Sequence, residues 1–265
     1  LHPCLPTLTL TLFLPLSNTP MLNQQRHNDR PKRLLNLVLA VAFALVVPAF
    51  ADEAKTGKHL FILSGQSNMT GAVRDAFSDR VQERFGKKNA SVVMRMKSGR
   101  GIRFWVADYR LPKDRGLSKK GMKSNGQEYK RLIEAALAAA KGQSFDTVSF
   151  IWMQGESDGM RGLSPAYEKS FLRLLGRIKK DLNRKHVTFV IGRINDSHMR
   201  DPNWKAMRDV QVKLAEDTDH GAWINTDDLS EPEHGVHFPG ENYQKLGQRF
   251  AEKAIVLIRK GSARK

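Results

Sequence analysis

One stretch limits the folds open to this chain: HLFILSGQSNMT, residues 59–70. Residues 60–63 are an unbroken apolar run, which reads as a strand covered on both faces, as in a parallel sheet. The run halts at Ser64-Gly65-Gln66-Ser67-Asn68. Open α/β sheets place their ligands at the carboxyl edge of such strands, where glycine lets the chain turn tightly. Ser67 is expected at the crest of that turn. A helix starting near Asn68 would add free N–H groups that favour an anion. A polar turn after a strand is ordinary by itself, so the reading depends on partners elsewhere in the chain.

The same arrangement recurs downstream. Residues 90–96 (ASVVMRM) lead into Lys97-Ser98-Gly99-Arg100-Gly101, and residues 147–152 (TVSFIW) lead into Met153-Gln154-Gly155-Glu156-Ser157-Asp158. Residues 187–194 end at Asn195-Asp196-Ser197-His198, and residues 222–225 end at Thr226-Asp227-Asp228. Between these runs lie helical patterns. Residues 126–141 carry Tyr129, Leu132, Ile133, Ala136, Leu137 and Ala140 on one face before Gly142 stops them. Pro165 opens a second helix to about residue 182. Residues 204–218 and 241–258 are two more. Residues 72–90, mixed and charged, read as a long loop with a short helix. Residues 110–125 read as a basic excursion over the surface, and residues 259–265 as a frayed tail. Strand and helix alternate about five times, so the prediction is one α/β domain: a three-layer α/β/α sandwich around a mostly parallel five-stranded sheet.

The first fifty residues read differently. Met21 precedes a basic stretch with Arg26, Arg30, Lys32 and Arg33, then an apolar segment over residues 34–47, then Ala49-Phe50-Ala51. That is the layout of a signal peptide over residues 21–51, and it predicts an exported chain, periplasmic or extracellular, with no membrane span after cleavage. Residues 1–20 read as an upstream or non-native translated segment. The remaining 214 residues, 52–265, hold no cysteine, because the only one is Cys4. A disulfide, a cysteine nucleophile and a thiolate metal site are therefore excluded there. They carry 40 Lys+Arg against 26 Asp+Glu. The basic residues are scattered and not interleaved with aromatics, so specific nucleic-acid binding is not expected, and non-specific attraction to polyanions is all the charge supports.

Ser67, His237 and a carboxylate drawn from distant strand ends would supply nucleophile, base and orienting acid for acyl transfer. GxSxG is absent, so the nucleophile-elbow pattern does not apply. GQSNM at residues 65–69, WMQGESD at 152–158 and GVHF at 235–238 followed by a Tyr…Leu-Gly helix resemble the SGNH hydrolases, which are flavodoxin-like in fold. The resemblance is to their sialate O-acetylesterase-like and acetylxylan esterase branch, carbohydrate esterase family 6, and covers residues 58–258. It implies a carboxylic ester hydrolase that removes O-acetyl groups from a carbohydrate through an acyl-enzyme, with no cofactor and no metal. Ser67 would be the nucleophile and His237 the base. The Ser67 N–H, the N–H of Gly99 or Gly101, and the Gln154 side chain would hold the oxyanion. The family's Asp three residues before the base is His234 here. The acid would then be Glu156, with Glu233 as the alternative. Asn68, Trp105, Arg193 and Asp196 are candidates for the substrate pocket. Trp105 can equally be core, and Arg193 and Asp196 can equally pair with each other. A non-catalytic carbohydrate-binding relative, or an esterase for another small acyl ester, is the alternative function.

Overall fold

In the computed structural model, residues 57–112 and 123–262 are described. The predicted signal peptide, residues 1–20, and most of the basic excursion lie outside them. Five strands form one sheet: β1 (His59–Gly65), β2 (Ala90–Met96), β3 (Thr147–Met153), β4 (Thr188–Gly192) and β5 (Gly221–Ile224). Every pairing is parallel, in the order β2-β1-β3-β4-β5. The strand order reverses between β1 and β3, and all five carboxyl ends point to one edge. That crevice is where an open α/β sheet receives its ligand.

Two apolar layers sandwich the sheet because alternate strand residues face opposite sides. Leu60 and Ile62 of β1 join Phe150 and Trp152 of β3 in one core; Phe61 and Leu63 join Ile151 and Met153 in the other. The first layer is closed by α2 (Gln127–Ala140), α4 (Ser164–Asp181) and α5 (Pro202–Glu216). The second is closed by α1 (Gly71–Phe85) and α6 (Asn242–Ser262). A one-turn helix, α3 (Glu156–Gly159), follows β3 directly.

Two expectations are corrected. Residues 72–90 hold a full 15-residue helix, α1, not a loop with a short helix. Thr70 caps it by accepting the Val73 N–H at 3.3 Å, and Val73, Phe77, Val81 and Phe85, spaced by four, are its buried stripe. A narrow stripe among charged neighbours is enough here because α1 lies against α6: a Cβ on Gly247 would stand 2.4 Å from Val73 O. The C-terminal segment is also not frayed from residue 259; α6 continues to Ser262. Ile255 and Ile258 still reach the core there, which holds the last turns down.

Candidate active site

The turn after β1 is fixed from both neighbouring strands. Gln66 N–H donates to Met153 O of β3 at 2.9 Å, and Lys97 N–H beyond β2 donates to Gly65 O at 3.0 Å. Gly65 has φ +146°, and a Cβ there would sit 1.9 Å from Met153 O. Only glycine lets β1 turn so close against β3. The turn lifts Ser67, partly exposed, above the strand edge.

His237 meets it from 170 residues away: His237 Nε2 and Ser67 Oγ are 2.9 Å apart. The histidine sits on an exposed loop, yet the loop is tied down on both sides of it, at Gly235, Val236 and Phe238. Asn195 Nδ2, at the end of β4, donates to Gly235 O at 2.9 Å. Asn68 Nδ2 donates to Val236 O at 2.8 Å, and the Phe238 N–H donates to the Tyr243 hydroxyl at 3.4 Å. Asn68 and Asn195 are each 1% exposed, so the donor side of the first two bonds is shielded from water.

The carboxylates take places the sequence did not reveal. Among the described residues no carboxylate oxygen lies within 4.0 Å of a His237 ring nitrogen, so neither Glu156 nor Glu233 touches that imidazole as an orienting acid would. Glu156 is buried, and its Oε1 accepts from Asn68 Nδ2 at 2.7 Å. Its reach to the base is therefore indirect, through the amide that also holds Val236 O. Burial pushes its carboxyl up to about 7, against the opposing pull of its hydrogen bonds. Glu233 stands in the solvent with Glu231 and His234, an exposed group close enough together to share a cation but without other features of a metal centre.

Several expected pocket residues are placed elsewhere. Gln154 is fully buried, and its amide N–H₂ is taken up by protein acceptors. Its Nε2 donates to Asp158 Oδ2 at 2.6 Å and lies 3.3 Å from both Gln66 Oε1 and Arg100 O. Asn68 belongs to the bracing beneath the site, not to a pocket wall. Trp105 is 1% exposed and packs edge-on against Trp152 at 5.1 Å, so it offers no open face to a sugar. Arg193 is engaged with Asp227 at 2.7 Å and Asn225 at 2.5 Å, not with Asp196, which accepts from Ser230 Oγ at 2.8 Å. Asp227 also receives Arg208, and Asp228 receives Arg249, so that acidic pair anchors the loop leading to His237.

Two backbone donors lie in the turns that follow β1 and β2 at the sheet's carboxyl edge. Among the described residues the N–H groups of Ser67 and Gly101 have no protein acceptor. Gly101 is buried, whereas Gly99 is exposed with φ +65°. Asn195, Tyr243 and Asp158 were not among the expected site residues, yet each makes one of these contacts. The first and last sit after strand ends, which was the available signal; Tyr243 entered only as the tyrosine of the Tyr…Leu-Gly helix after GVHF.

Comparison with known proteins agrees with this architecture. The family model described as "Carbohydrate esterase, sialic acid-specific acetylesterase" matches residues 73–256, a segment that includes β3, α3 and the His237 loop and begins just after Ser67. Among solved structures, a protein from Arabidopsis thaliana superposes with a TM-score of 0.58 at 16% identity, over 76% of this chain and 98% of that one. A carbohydrate acetylesterase from Xanthomonas citri gives 0.56 at 15% identity, over 77% of this chain and 57% of that one. The protein NanS gives 0.54 at 11% identity, over 78% and 98%. At these identities the likeness is one of fold. No curated protein matches the chain by sequence.

Proposed function

Because the chain belongs to the carbohydrate esterase, sialic acid-specific acetylesterase family, we propose that it cleaves O-acetyl esters of carbohydrates with Ser67 as nucleophile and His237 as base. The 2.9 Å approach of Ser67 Oγ to His237 Nε2 at the sheet's switch point is the observation that carries this reading.

His237 Nε2 takes the Ser67 proton as Oγ attacks the acetyl carbonyl carbon. The carbonyl oxygen becomes an oxyanion, received by the N–H groups of Ser67 and Gly101. As the intermediate collapses, the C–O bond to the sugar breaks and His237 returns its proton to the leaving hydroxyl. Water then repeats the sequence on the acetyl-serine and releases acetate. No cofactor enters these steps. With no carboxylate on the imidazole, the base is oriented by its loop, through Asn68, Asn195 and Tyr243. Glu156 supports that arrangement by holding Asn68. Such a dyad gives up part of the tautomer control that a triad acid supplies.

The signal-peptide layout of residues 21–51 supports action outside the cytoplasm. The test is acetate release from acetylated xylan and p-nitrophenyl acetate, with wild type beside Ser67→Ala. Turnover by wild type and none by the variant is expected. A folded wild type that is inert on every acetyl ester overturns the proposal.

A further inference from the structure

The segment that carries Gly101 has no regular structure of its own before the 3-10 turn at Ile102–Trp105. A donor on a loop stabilises an oxyanion only if the loop is held still before the reaction. The structure shows what holds it. Asp158 of α3 is 1% exposed, and its Oδ2 accepts the Ile102 N–H at 2.7 Å. The same oxygen accepts from Gln154 Nε2 at 2.6 Å, and that amide also reaches Arg100 O at 3.3 Å. The residues on either side of Gly101 are thus fastened to one carboxylate, one directly and one through Gln154. The other oxygen, Oδ1, makes no hydrogen bond and packs beneath Gly101, where a Cβ would come within 2.8 Å of it.

This is a costly way to fasten a loop. Among the described residues no cation forms an ion pair with the carboxylate, and burial raises its pKa against the pull of its hydrogen bonds and of the more distant Arg161 and Arg103. A site kept at the expense of stability points to a role in function.

We infer that Asp158 is a positioning residue that fixes the Gly101 N–H toward the oxyanion, with Gln154 as its intermediary. The inference rests on the serine-esterase reading and adds to it the group that preorganises the second donor. Gln154 thereby acts one step behind the position the sequence suggested for it. Asp158 itself touches neither substrate nor reacting atoms.

The test compares wild type, Asp158→Ala, Asp158→Asn and Ser67→Ala in p-nitrophenyl acetate hydrolysis, with burst amplitude counting competent sites. Losing a fixed oxyanion donor costs about 10²–10³ in kcat, so a released turn is expected to lower kcat per competent site about 30-fold or more in Asp158→Ala, with KM changed by less than about threefold. Asparagine keeps an oxygen for both donors and is expected to recover about tenfold of that loss. Inhibition by phenylboronic acid, a tetrahedral mimic, should weaken in step with kcat. Hydrogen exchange of the peptide spanning residues 100–104 should accelerate in Asp158→Ala and in Asp158→Asn stay near wild type. If Asp158→Ala does not fold, a second pair, Gln154→Met against Gln154→Glu, applies the same readouts to the intermediary: methionine is expected to slow kcat, and an unchanged kcat overturns the inference. A kcat in Asp158→Ala within about threefold of wild type, or a loss confined to KM, also overturns it. If wild type releases no acetate, or Ser67→Ala still does, the esterase reading itself fails and takes the inference with it.

Discussion

Replacing Glu156 by glutamine separates two accounts of that residue, one in which it orients the base directly and one in which it braces Asn68 from inside the core. In the folded protein its carboxyl rises from the ordinary 4.5 to about 7, chiefly through burial. The folded state therefore holds the proton more tightly than the unfolded chain. That contribution is complete below the unfolded pKa and is lost as pH climbs through the folded one. At about 1.4 kcal/mol per pH unit, the loss is about 3 kcal/mol between roughly pH 4 and pH 8. Glu156→Gln removes the titration and keeps the Oε1 acceptor for Asn68, while adding an unpaired buried N–H₂ that costs about 1–2 kcal/mol at every pH. Urea unfolding of both proteins across that range should show wild type losing about 3 kcal/mol relative to the variant as pH rises. Parallel stability curves would refute the burial argument. In the same samples, kcat/KM of Glu156→Gln should stay within about tenfold of wild type, whereas an acid bonded to the base would cost about 10⁴ on amidation.

Other outcomes follow from single contacts. Gly65→Ala puts a Cβ 1.9 Å from the Met153 carbonyl, and chemical unfolding should report a loss of about 3–5 kcal/mol, with Ser67 displaced and hydrolysis falling at least as steeply. Phe77→Ala empties the contact between α1 and β1, where Phe77 is fully buried and its ring meets Phe61 at 5.3 Å; about 3–5 kcal/mol of stability should go, measured by urea titration, with kcat unchanged. Asn195→Ala frees Gly235 O on the loop that carries His237. Its expected signature is a drop of about tenfold in kcat with a thermal midpoint only a few degrees lower, read by steady-state kinetics and calorimetry.

What the sequence could and could not disclose divides along physical lines. β1 and β3 were legible because LFIL is wholly and TVSFIW largely apolar, and each leads into glycine and polar residues. The alternation of elements then dictated the parallel sheet. The α1 helix was obscured because its buried face is only Val73, Phe77, Val81 and Phe85, and tertiary packing against α6 supplies what the local pattern lacks. Ser67 and His237 could be paired because their motifs lie at element boundaries, and the fold brings their side chains to 2.9 Å. The parts played by Gln154, Asn68 and Glu156 were not legible, since burial and the direction of a side chain depend on neighbours brought in by the fold; for Trp105 the core alternative is the one the fold takes. Gln154 was read as a donor to substrate because an amide at a strand end suits that task. In the folded chain Asp158, four residues on, claims the same N–H₂ group.

The central claim, a covalent acetyl-enzyme on Ser67 formed with His237 as base, is tested most directly by trapping the intermediate. Wild type, His237→Ala and Ser67→Ala would be quenched in acid during turnover of p-nitrophenyl acetate and digested for mass spectrometry. The account predicts an acetyl group on the peptide bearing Ser67 in wild type, far less in His237→Ala and none in Ser67→Ala. Acetate release by wild type with that peptide never acetylated, or undiminished acetylation without His237, would contradict it.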